Sequence, residues 1–326
     1  MTTIGYHASH EQFSPSRLLQ LTRAAEAAGF DAAMCSDHFH PWTEQQGQSG
    51  YAWSWLGAAL QATQLSFGTV TAPGYRYHPA IVAQAAATLA EMFPGRFWLA
   101  VGSGEALNEG ITGLHWPAKD ERNARLRECV DVMRALWAGE MVTHRGLITV
   151  DGARLYTRPT DPPLVFAAAI TPATARWAAA WADGLITVNQ PPAKLRQVID
   201  AFRDGGGDGK PLALQVHVSY ADSDEEARSI ALEHWSATFL DSAVLADLRQ
   251  PAQFSAAAEL VAPELVDQHV RASADPARHA EWLQADAELG FERIYVHHVG
   301  PGQERFIEAF GARVLPQVRD SLAVVA

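Results

Sequence analysis

The segment Ile4–Cys35, IGYHASHEQFSPSRLLQLTRAAEAAGFDAAMC, has the pattern of a strand, a helix and a second strand. Ile4–Ala8 is a short apolar run typical of a buried strand, and the dipeptide Ser14-Pro15 is typical of a helix start. Leucine and alanine then recur at helical spacing until Gly29, which ends the helix before a second apolar run at Asp31–Cys35. Such a unit is the building block of α/β folds with parallel sheets.

The same unit recurs to the end of the chain. Eight strand–helix units in order predict an α/β fold of the (β/α)8 TIM-barrel type rather than a doubly wound sheet. Val142–Tyr156 alternates like a hairpin inserted before strand five, and Ser223–Pro263 is a helical insertion after strand seven that we interpret as a lid. We expect residues 1–326 to form one domain. The predicted strands are Ile4–Ala8, Asp31–Cys35, Leu65–Val70, Phe97–Val101, Leu164–Ala168, Gly184–Val188, Leu212–Tyr220 and Arg293–His297.

Composition limits the partners of the protein. The chain has 25 basic and 37 acidic side chains, a net charge of −12, which argues against nucleic acid or an anionic membrane as the main partner. Its two cysteines, Cys35 and Cys129, are too few for a disulfide scaffold and lack metal-ligand spacing. The sequence contains no signal-peptide pattern and no run of about 20 apolar residues. We therefore expect a cytoplasmic protein that acts on a small molecule.

Polar side chains follow the predicted strands two and four. Asp37, His38 and Trp42 follow strand two, and Gly102–Glu109, which contains Glu105, follows strand four. An Asp-His pair supplies a proton acceptor beside a fixed negative charge, and an indole supplies a flat wall. Each residue alone has a structural explanation, such as core packing for a tryptophan or a helix-dipole contact for Glu105. Because strand ends share one mouth in a barrel, the combination favours an active site.

Two further patterns lie near this cluster or resemble a metal site. Trp53 and Trp55 flank the Asp-His pair in sequence, so a stacking role is plausible beside core packing. His38-x-His40 resembles a metal pair of barrel hydrolases, with His217 and the pair His297-His298 as further ligands. In those hydrolases the histidine pair follows strand one and a lysine follows strand four. Neither feature is found in this chain. A metal site is therefore a minor hypothesis.

Several motifs together resemble one known family. The motifs are Glu11-Gln12-Phe13, Ser36-Asp37-His38-Phe39, Pro41-Trp42, Tyr75-Arg76-Tyr77-His78-Pro79, Gly102–Glu109 and Ala182-Asp183-Gly184. In this order they resemble the deazaflavin-dependent glucose-6-phosphate dehydrogenase group of the luciferase-like flavin oxidoreductases, over nearly the whole chain. The resemblance implies a (β/α)8 barrel with a lid insertion and a flavin-type cofactor. Dimers are common in that family, so it also implies a homodimer.

The resemblance implies roles for individual residues. His38 would be the base that takes the substrate's hydroxyl proton, Glu105 a proton donor near the cofactor ring, and Trp42 a stabiliser of charge that develops on the ring. Such a set suits the oxidation of a carbinol by a flat hydride acceptor. The residues expected to bind the cofactor are Glu11, Asp37, Thr69, Val70, Gly102, Ser103, Gly104, Asn108, Ile170 and Thr171.

The chain also departs from the family. Pro191, Ser255 and Gln268 stand where the family's sugar-phosphate site has two lysines and an arginine, so glucose 6-phosphate is not the expected substrate. The stretch Gly68–Pro73 is one residue shorter than in the family, and Ile170-Thr171 replaces a Gly-Gly pair near the cofactor phosphate. Both changes affect cofactor surfaces. We expect FMN as the cofactor, with coenzyme F-420 as the alternative.

The sequence thus predicts a flavin-dependent oxidoreductase of the luciferase-like class. Alcohol dehydrogenation and FMN-linked monooxygenation both fit the residues. A flavin-binding barrel without turnover and a metal-dependent barrel hydrolase are the competing hypotheses.

Overall fold

The computed structural model describes residues 2–325, so Met1 and Ala326 of the predicted domain lie outside it. These residues form eleven strands and fourteen α-helices. The strands are β1 (Thr3–Ala8), β2 (Ala32–Ser36), β3 (Ser66–Thr71), β4 (Phe97–Val101), β5 (Val142–Arg145), β6 (Thr149–Ala153), β7 (Val165–Ala168), β8 (Gly184–Val188), β9 (Leu212–Ser219), β10 (Arg271–Ala272) and β11 (Arg293–His298). The helices are α1 (Pro15–Ala27), α2 (Ala52–Ala62), α3 (Pro79–Met92), α4 (Ala106–Glu109), α5 (Lys119–Ala138), α6 (Pro172–Ala179), α7 (Pro192–Phe202), α8 (Asp224–Trp235), α9 (Ser242–Asp247), α10 (Pro251–Ala258), α11 (Val266–His269), α12 (Pro276–Glu288), α13 (Gln303–Ala309) and α14 (Leu315–Val325).

Eight of the strands close into a parallel barrel. Their order is β1-β2-β3-β4-β7-β8-β9-β11, and β11 pairs back to β1, with Thr3 opposite Arg293. The strands β5 and β6 form an antiparallel hairpin outside the barrel. The predicted TIM barrel and its hairpin are therefore confirmed, and each predicted strand agrees with the observed one to within one residue at either end.

The predicted insertion after the seventh barrel strand is also confirmed. It comprises α8 to α11, residues 224–269, and we refer to it as the lid. It is followed by the short strand β10, which pairs with the end of β9. The lid packs onto the segment after β2, because Phe254 of α10 lies 5.3 Å from Trp42 between ring centroids. Within residues 2–325, no helix is both long and apolar enough to span a membrane.

Three aromatic side chains fill the interior of the barrel. The ring of Trp98 on β4 lies 4.8 Å from that of Phe166 on β7 and 5.7 Å from that of Tyr295 on β11. The Trp98 indole nitrogen donates a 3.1 Å hydrogen bond to the Tyr295 hydroxyl. All three side chains are buried. They close the barrel below the strand ends, as layers of inward side chains do in this fold.

Glycines on the neighbouring strands make room for these rings. A Cβ atom at Gly68 would overlap the Trp98 indole, one at Gly5 the Tyr295 ring and one at Gly184 the Phe166 ring. The three aromatic rings touch each other or the barrel wall, so none can move aside without disturbing the packing. The barrel core can therefore hold these three rings only because the glycines have no side chain.

We expect Gly68→Ala to lower the free energy of unfolding by about 1–3 kcal/mol, because the added methyl group overpacks the barrel core. Gly57→Ala is the matched control, since its Cβ would meet only ordinary contact in α2, 3.9 Å from Leu89. The control should be neutral or stabilising by up to about 1 kcal/mol, the helix preference for alanine. Urea unfolding followed by circular dichroism measures both. Equal stability of the two variants would contradict the packing account.

Candidate active site

A cavity of about 770 Å³ opens at the carboxyl ends of the barrel strands. TIM-barrel enzymes hold their substrates at this end. Twelve of the thirteen predicted site residues line this cavity: Glu11, Asp37, His38, Trp42, Val70, Gly102, Ser103, Gly104, Glu105, Asn108, Ile170 and Thr171. The remaining one, Thr69, is fully buried and accepts a 3.5 Å hydrogen bond from the Cys35 thiol, so it lies behind the wall.

The side chains of Glu11 and His38 form a close pair in the cavity wall. The Glu11 Oε1 and His38 Nδ1 atoms are 3.0 Å apart, and Ser9 donates a 2.9 Å bond to the other carboxylate oxygen. Burial by itself would raise the pKa of Glu11, but the adjacent imidazole outweighs it and lowers that pKa to about 2. Burial by itself would lower the pKa of His38, but the Glu11 carboxylate outweighs it and raises that pKa. The pair leaves His38 Nε2 available to a ligand.

The Asp37 carboxylate is saturated by protein donors. Its Oδ2 accepts bonds from the Trp53 indole at 3.1 Å and the Thr71 hydroxyl at 2.8 Å, and its Oδ1 accepts from the Tyr77 hydroxyl at 3.1 Å. The Arg76 guanidinium lies 3.5 Å from Oδ2 and donates to the Asp37 carbonyl at 2.6 Å. Asp37 therefore joins the segments after β2 and β3 through four side chains.

Arg76 also holds a second buried carboxylate. Its Nε lies 3.5 Å from Glu109 Oε1, and its backbone nitrogen donates to Oε2 at 3.0 Å. Burial raises the pKa of Glu109 to about 7, although Arg76 acts in the opposite direction. Glu105, four residues earlier, also has a raised pKa, caused first by burial and opposed by His38. The cavity thus holds two carboxyl groups that keep protons more readily than ordinary glutamates.

Of the three tryptophans considered near the Asp-His pair, Trp42 lines the cavity, whereas Trp53 and Trp55 do not. The Trp42 ring lies edge-on to His38, with 5.2 Å between centroids, and contacts Phe254 of the lid on its other side. Trp53 and Trp55 instead begin α2, which the sequence pattern did not predict, and both are buried. Trp53 binds Asp37 and Trp55 donates to the Pro15 carbonyl at 3.0 Å. The stacking role considered for these two residues is therefore not supported.

Asn108 connects two of the loops around the cavity. Its side-chain oxygen accepts bonds from the backbone nitrogens of Phe39 and His40, at 2.8 and 3.1 Å.

Two histidines of the metal hypothesis have other contacts. The His40 Nδ1 atom bonds the Leu107 carbonyl at 2.8 Å, and His298 packs against Phe306 with nearly parallel rings. Within residues 2–325, no three histidine, cysteine or carboxylate side chains are arranged to hold a metal ion. The metal-hydrolase hypothesis therefore has no ligand set in this structure.

Several cavity residues were not among the predicted site residues. Among them are His7, Thr71, Gln215 and Trp235, and also His217 and His297, which the sequence suggested only as possible metal ligands. The positions Gln215 and His217 alternate along β9 with buried apolar residues, and this period of two would have indicated their inward direction. None of the positions Pro191, Ser255 and Gln268 lines the cavity.

Comparisons with known proteins agree with this architecture. The family model described as luciferase-like monooxygenase matches residues 1–293. An F-420-dependent glucose-6-phosphate dehydrogenase of Nakamurella multipartita is 39% identical, over 97% of this chain and 96% of that protein. A solved F-420-dependent secondary alcohol dehydrogenase, in complex with an F-420–acetone adduct, is 34% identical, with a TM-score of 0.91 over 98% of this chain and 99% of that one.

A more distant structure shares the fold alone. The oxygenating constituent of 3,6-diketocamphane monooxygenase from Pseudomonas putida, in complex with FMN, is 17% identical with a TM-score of 0.69, over 97% of this chain and 98% of that one. The family match covers most of the chain, and the 39% identical relative is matched along almost its whole length. This chain belongs to the luciferase-like monooxygenase family.

Proposed function

We propose that this protein is an oxidoreductase that uses coenzyme F-420 and interconverts a small alcohol and the corresponding carbonyl compound. The observation that carries the proposal is the Glu11–His38 pair, 3.0 Å apart in the cavity wall. A buried carboxylate that orients an imidazole and increases its basicity is a common arrangement for accepting a proton. The relatives named as dehydrogenases support the same reaction class.

The cavity suits a flavin-shaped cofactor. Its volume is within the range of cofactor sites, and the backbone of Gly102 and Gly104 forms part of its wall. The Thr187 hydroxyl is buried in that wall without a partner among residues 2–325, as expected where a polar ligand supplies one. When bound, the deazaflavin supplies an acceptor or donor of hydride.

F-420 is preferred to FMN because of the relatives. The two relatives above 30% identity described above are named for F-420, whereas the FMN complex resembles this chain in fold alone. The expectation of FMN, based on the short segment after β3 and on Ile170-Thr171, has no support from these comparisons and becomes the alternative. Thr171 instead caps α6, where its hydroxyl accepts a bond from the Thr174 backbone nitrogen at 3.3 Å.

Three side chains would carry the proton chemistry. His38 holds Glu11 through Nδ1, so Nε2 is the atom that takes the hydroxyl proton of an alcohol. Burial raises the pKa of Glu105, so this side chain holds a proton more readily than an ordinary glutamate and is the proposed proton donor near the cofactor ring. The Trp42 ring excludes water from one side of His38 and is held in place by Phe254. We do not expect a phosphorylated sugar as the substrate, because Pro191, Ser255 and Gln268 stand where the resembled family has two lysines and an arginine.

We expect the purified apoprotein to bind F-420 at least about tenfold more tightly than FMN, since the surroundings resemble those of F-420-dependent relatives. Titrations followed by cofactor fluorescence, one with each compound, give the two dissociation constants. The mass of the ligand that co-purifies from an F-420-producing host is an independent check. Tighter binding of FMN would restore the alternative and would shift the proposal to flavin monooxygenation.

We expect His38→Ala to reduce kcat for alcohol oxidation by about 10²- to 10⁴-fold, the usual contribution of a general base. Anaerobic reduction of F-420 by a panel of secondary alcohols is the assay. The control is His144→Ala, because His144 lies on the β5–β6 hairpin and pairs with Glu128 at 2.8 Å, away from the cavity. A His38→Ala variant with the wild-type kcat would eliminate the catalytic assignment. If the wild-type protein binds F-420 and oxidises no alcohol, the barrel binds its cofactor without this turnover.

We expect Glu11→Gln to lower the pKa of His38, because the variant removes an anion in direct contact. A base must be unprotonated, so the rate of alcohol oxidation in the wild type should rise as pH passes the raised pKa of His38. In the variant this rise should occur at lower pH. NMR titration of His38, assigned with His38→Ala, measures the pKa directly, and kcat/KM against pH measures its consequence. An unchanged titration would show that Glu11 does not control the base.

A further inference from the structure

Three imidazoles form a row across adjacent strands in the cavity wall. His297 on β11 pairs in register with His217 on β9, and His7 on β1 follows the Tyr6–Val296 pair by one residue. The rings of His7 and His297 are stacked with 4.3 Å between centroids, and those of His217 and His297 are 5.5 Å apart. All three side chains line the cavity. The proton chemistry proposed above uses none of them.

Two glutamines fix which nitrogens of this row carry protons. The Gln12 amide donates to the Val299 carbonyl at 2.6 Å, so its oxygen accepts the 2.9 Å bond from His297 Nε2. A neutral His297 then has Nδ1 as an acceptor, and Gln215 Nε2 donates to it at 3.5 Å. The same amide nitrogen donates to His217 Nε2 at 3.2 Å. His217 must therefore carry its proton on Nδ1.

This chain of bonds leaves one donor and one acceptor for a ligand. Within residues 2–325, neither the Nδ1–H group of His217 nor the side-chain oxygen of Gln215 has a partner. The Trp235 ring, 5.1 Å from the His217 ring, forms an apolar side of the same place. A hydroxyl group can accept from the first and donate to the second, whereas a carbonyl or ether oxygen can satisfy the donor alone.

Burial keeps this part of the cavity uncharged. It lowers the pKa of His7 to about 4, that of His217 to about 3 and that of His297 well below its ordinary value. Among the described lining residues the lysine and arginine side chains are Lys119 and Arg122, which begin α5 after β4, three strands around the barrel from β9. Among the described lining residues, no lysine or arginine lies beside β9 to pair with an anionic group, which would also meet the oxygen of Gln215.

We propose that Gln215 and His217 form a subsite for a second hydroxyl group of the substrate, so that the enzyme acts on uncharged diols or polyols. The proposal rests on the function proposed above, in which His38 serves the reacting hydroxyl. A site that hydrogen-bonds a hydroxyl discriminates against the analogue that lacks it, because its own buried polar groups are then left unpaired.

The test compares substrates that differ by one hydroxyl group. The probes are butane-1,3-diol, pentane-1,4-diol and hexane-1,5-diol, each against the matched 2-alkanol, and D-glucose against glucose 6-phosphate. For the best diol we expect kcat/KM to exceed that of its 2-alkanol by about 10- to 100-fold, the effect of one unpaired buried polar group. D-Glucose should be preferred to glucose 6-phosphate. The His217→Phe variant should lose the preference for the diol, and His217→Asn, which retains an amide donor, should keep part of it. His144→Ala is the control and should keep the wild-type ratio.

A second measurement separates this proposal from the proposed function. NMR of protein with ¹⁵N-labelled histidine should show His217 neutral at pH 7 with its proton on Nδ1, and its resonance should shift with the best diol but not with the 2-alkanol. Equal kcat/KM for diols and 2-alkanols, or a preference for glucose 6-phosphate, would overturn the subsite and leave the oxidoreductase intact. If no alcohol is oxidised, the proposed function fails, and the NMR shift alone then supports or refutes the subsite.

Discussion

The structure depends on how three aromatic rings fit inside the barrel. Trp98, Phe166 and Tyr295 point inward from three strands, and the glycines opposite them leave the space that their rings occupy. With the interior filled, an opening of cofactor size is available at the carboxyl ends of the strands, where the polar side chains of the site come together. The upper edge of the same apolar cluster, including Val70 and Ala168, forms the floor of that cavity. The packing that stabilises the barrel therefore also sets the depth of the site.

Charge is distributed unevenly around this opening. Among the carboxyl groups that line it, Glu11, Asp37, Glu105 and Glu109 lie on the side of β1 to β4, and the buried cation Arg76 contacts two of them. Burying so many carboxylates is unfavourable unless each is paired, hydrogen-bonded or protonated. Asp37 is hydrogen-bonded, Glu11 is paired with His38, and burial raises the pKa of Glu105 and Glu109, which favours their protonated forms. In the proposed function, this difference among the carboxyl groups separates the proton acceptor from the proton donor in one cavity.

The sequence predicted the barrel well because its signals are local. Apolar runs, helix starts such as Ser14-Pro15 and the glycine that ends α1 each act over a few residues, and they recur in register with the fold. The residues at the strand ends followed from that architecture and the family resemblance. The sequence did not predict which side chains form hydrogen bonds between different helices, strands and loops. The pairing of Trp53 with Asp37 joins residues of different elements, and local patterns do not specify such contacts.

The two sides of the cavity differ in the pKa values of their titratable side chains. Near β1 to β4, the Glu11 carboxylate raises the pKa of His38 against the effect of burial, and burial raises the pKa of Glu109 to about 7. Near β9 and β11 burial lowers the pKa values of the imidazoles. The rings therefore stay neutral around neutral pH, and the direction of their hydrogen bonds does not change there. In the proposed function, the side near β1 to β4 exchanges protons, while the side near β9 and β11 presents the same hydrogen-bond donor and acceptor throughout. His7 stacks on His297 and lies close to the Glu11–His38 pair. The His7 side chain therefore lies between the two sides of the cavity.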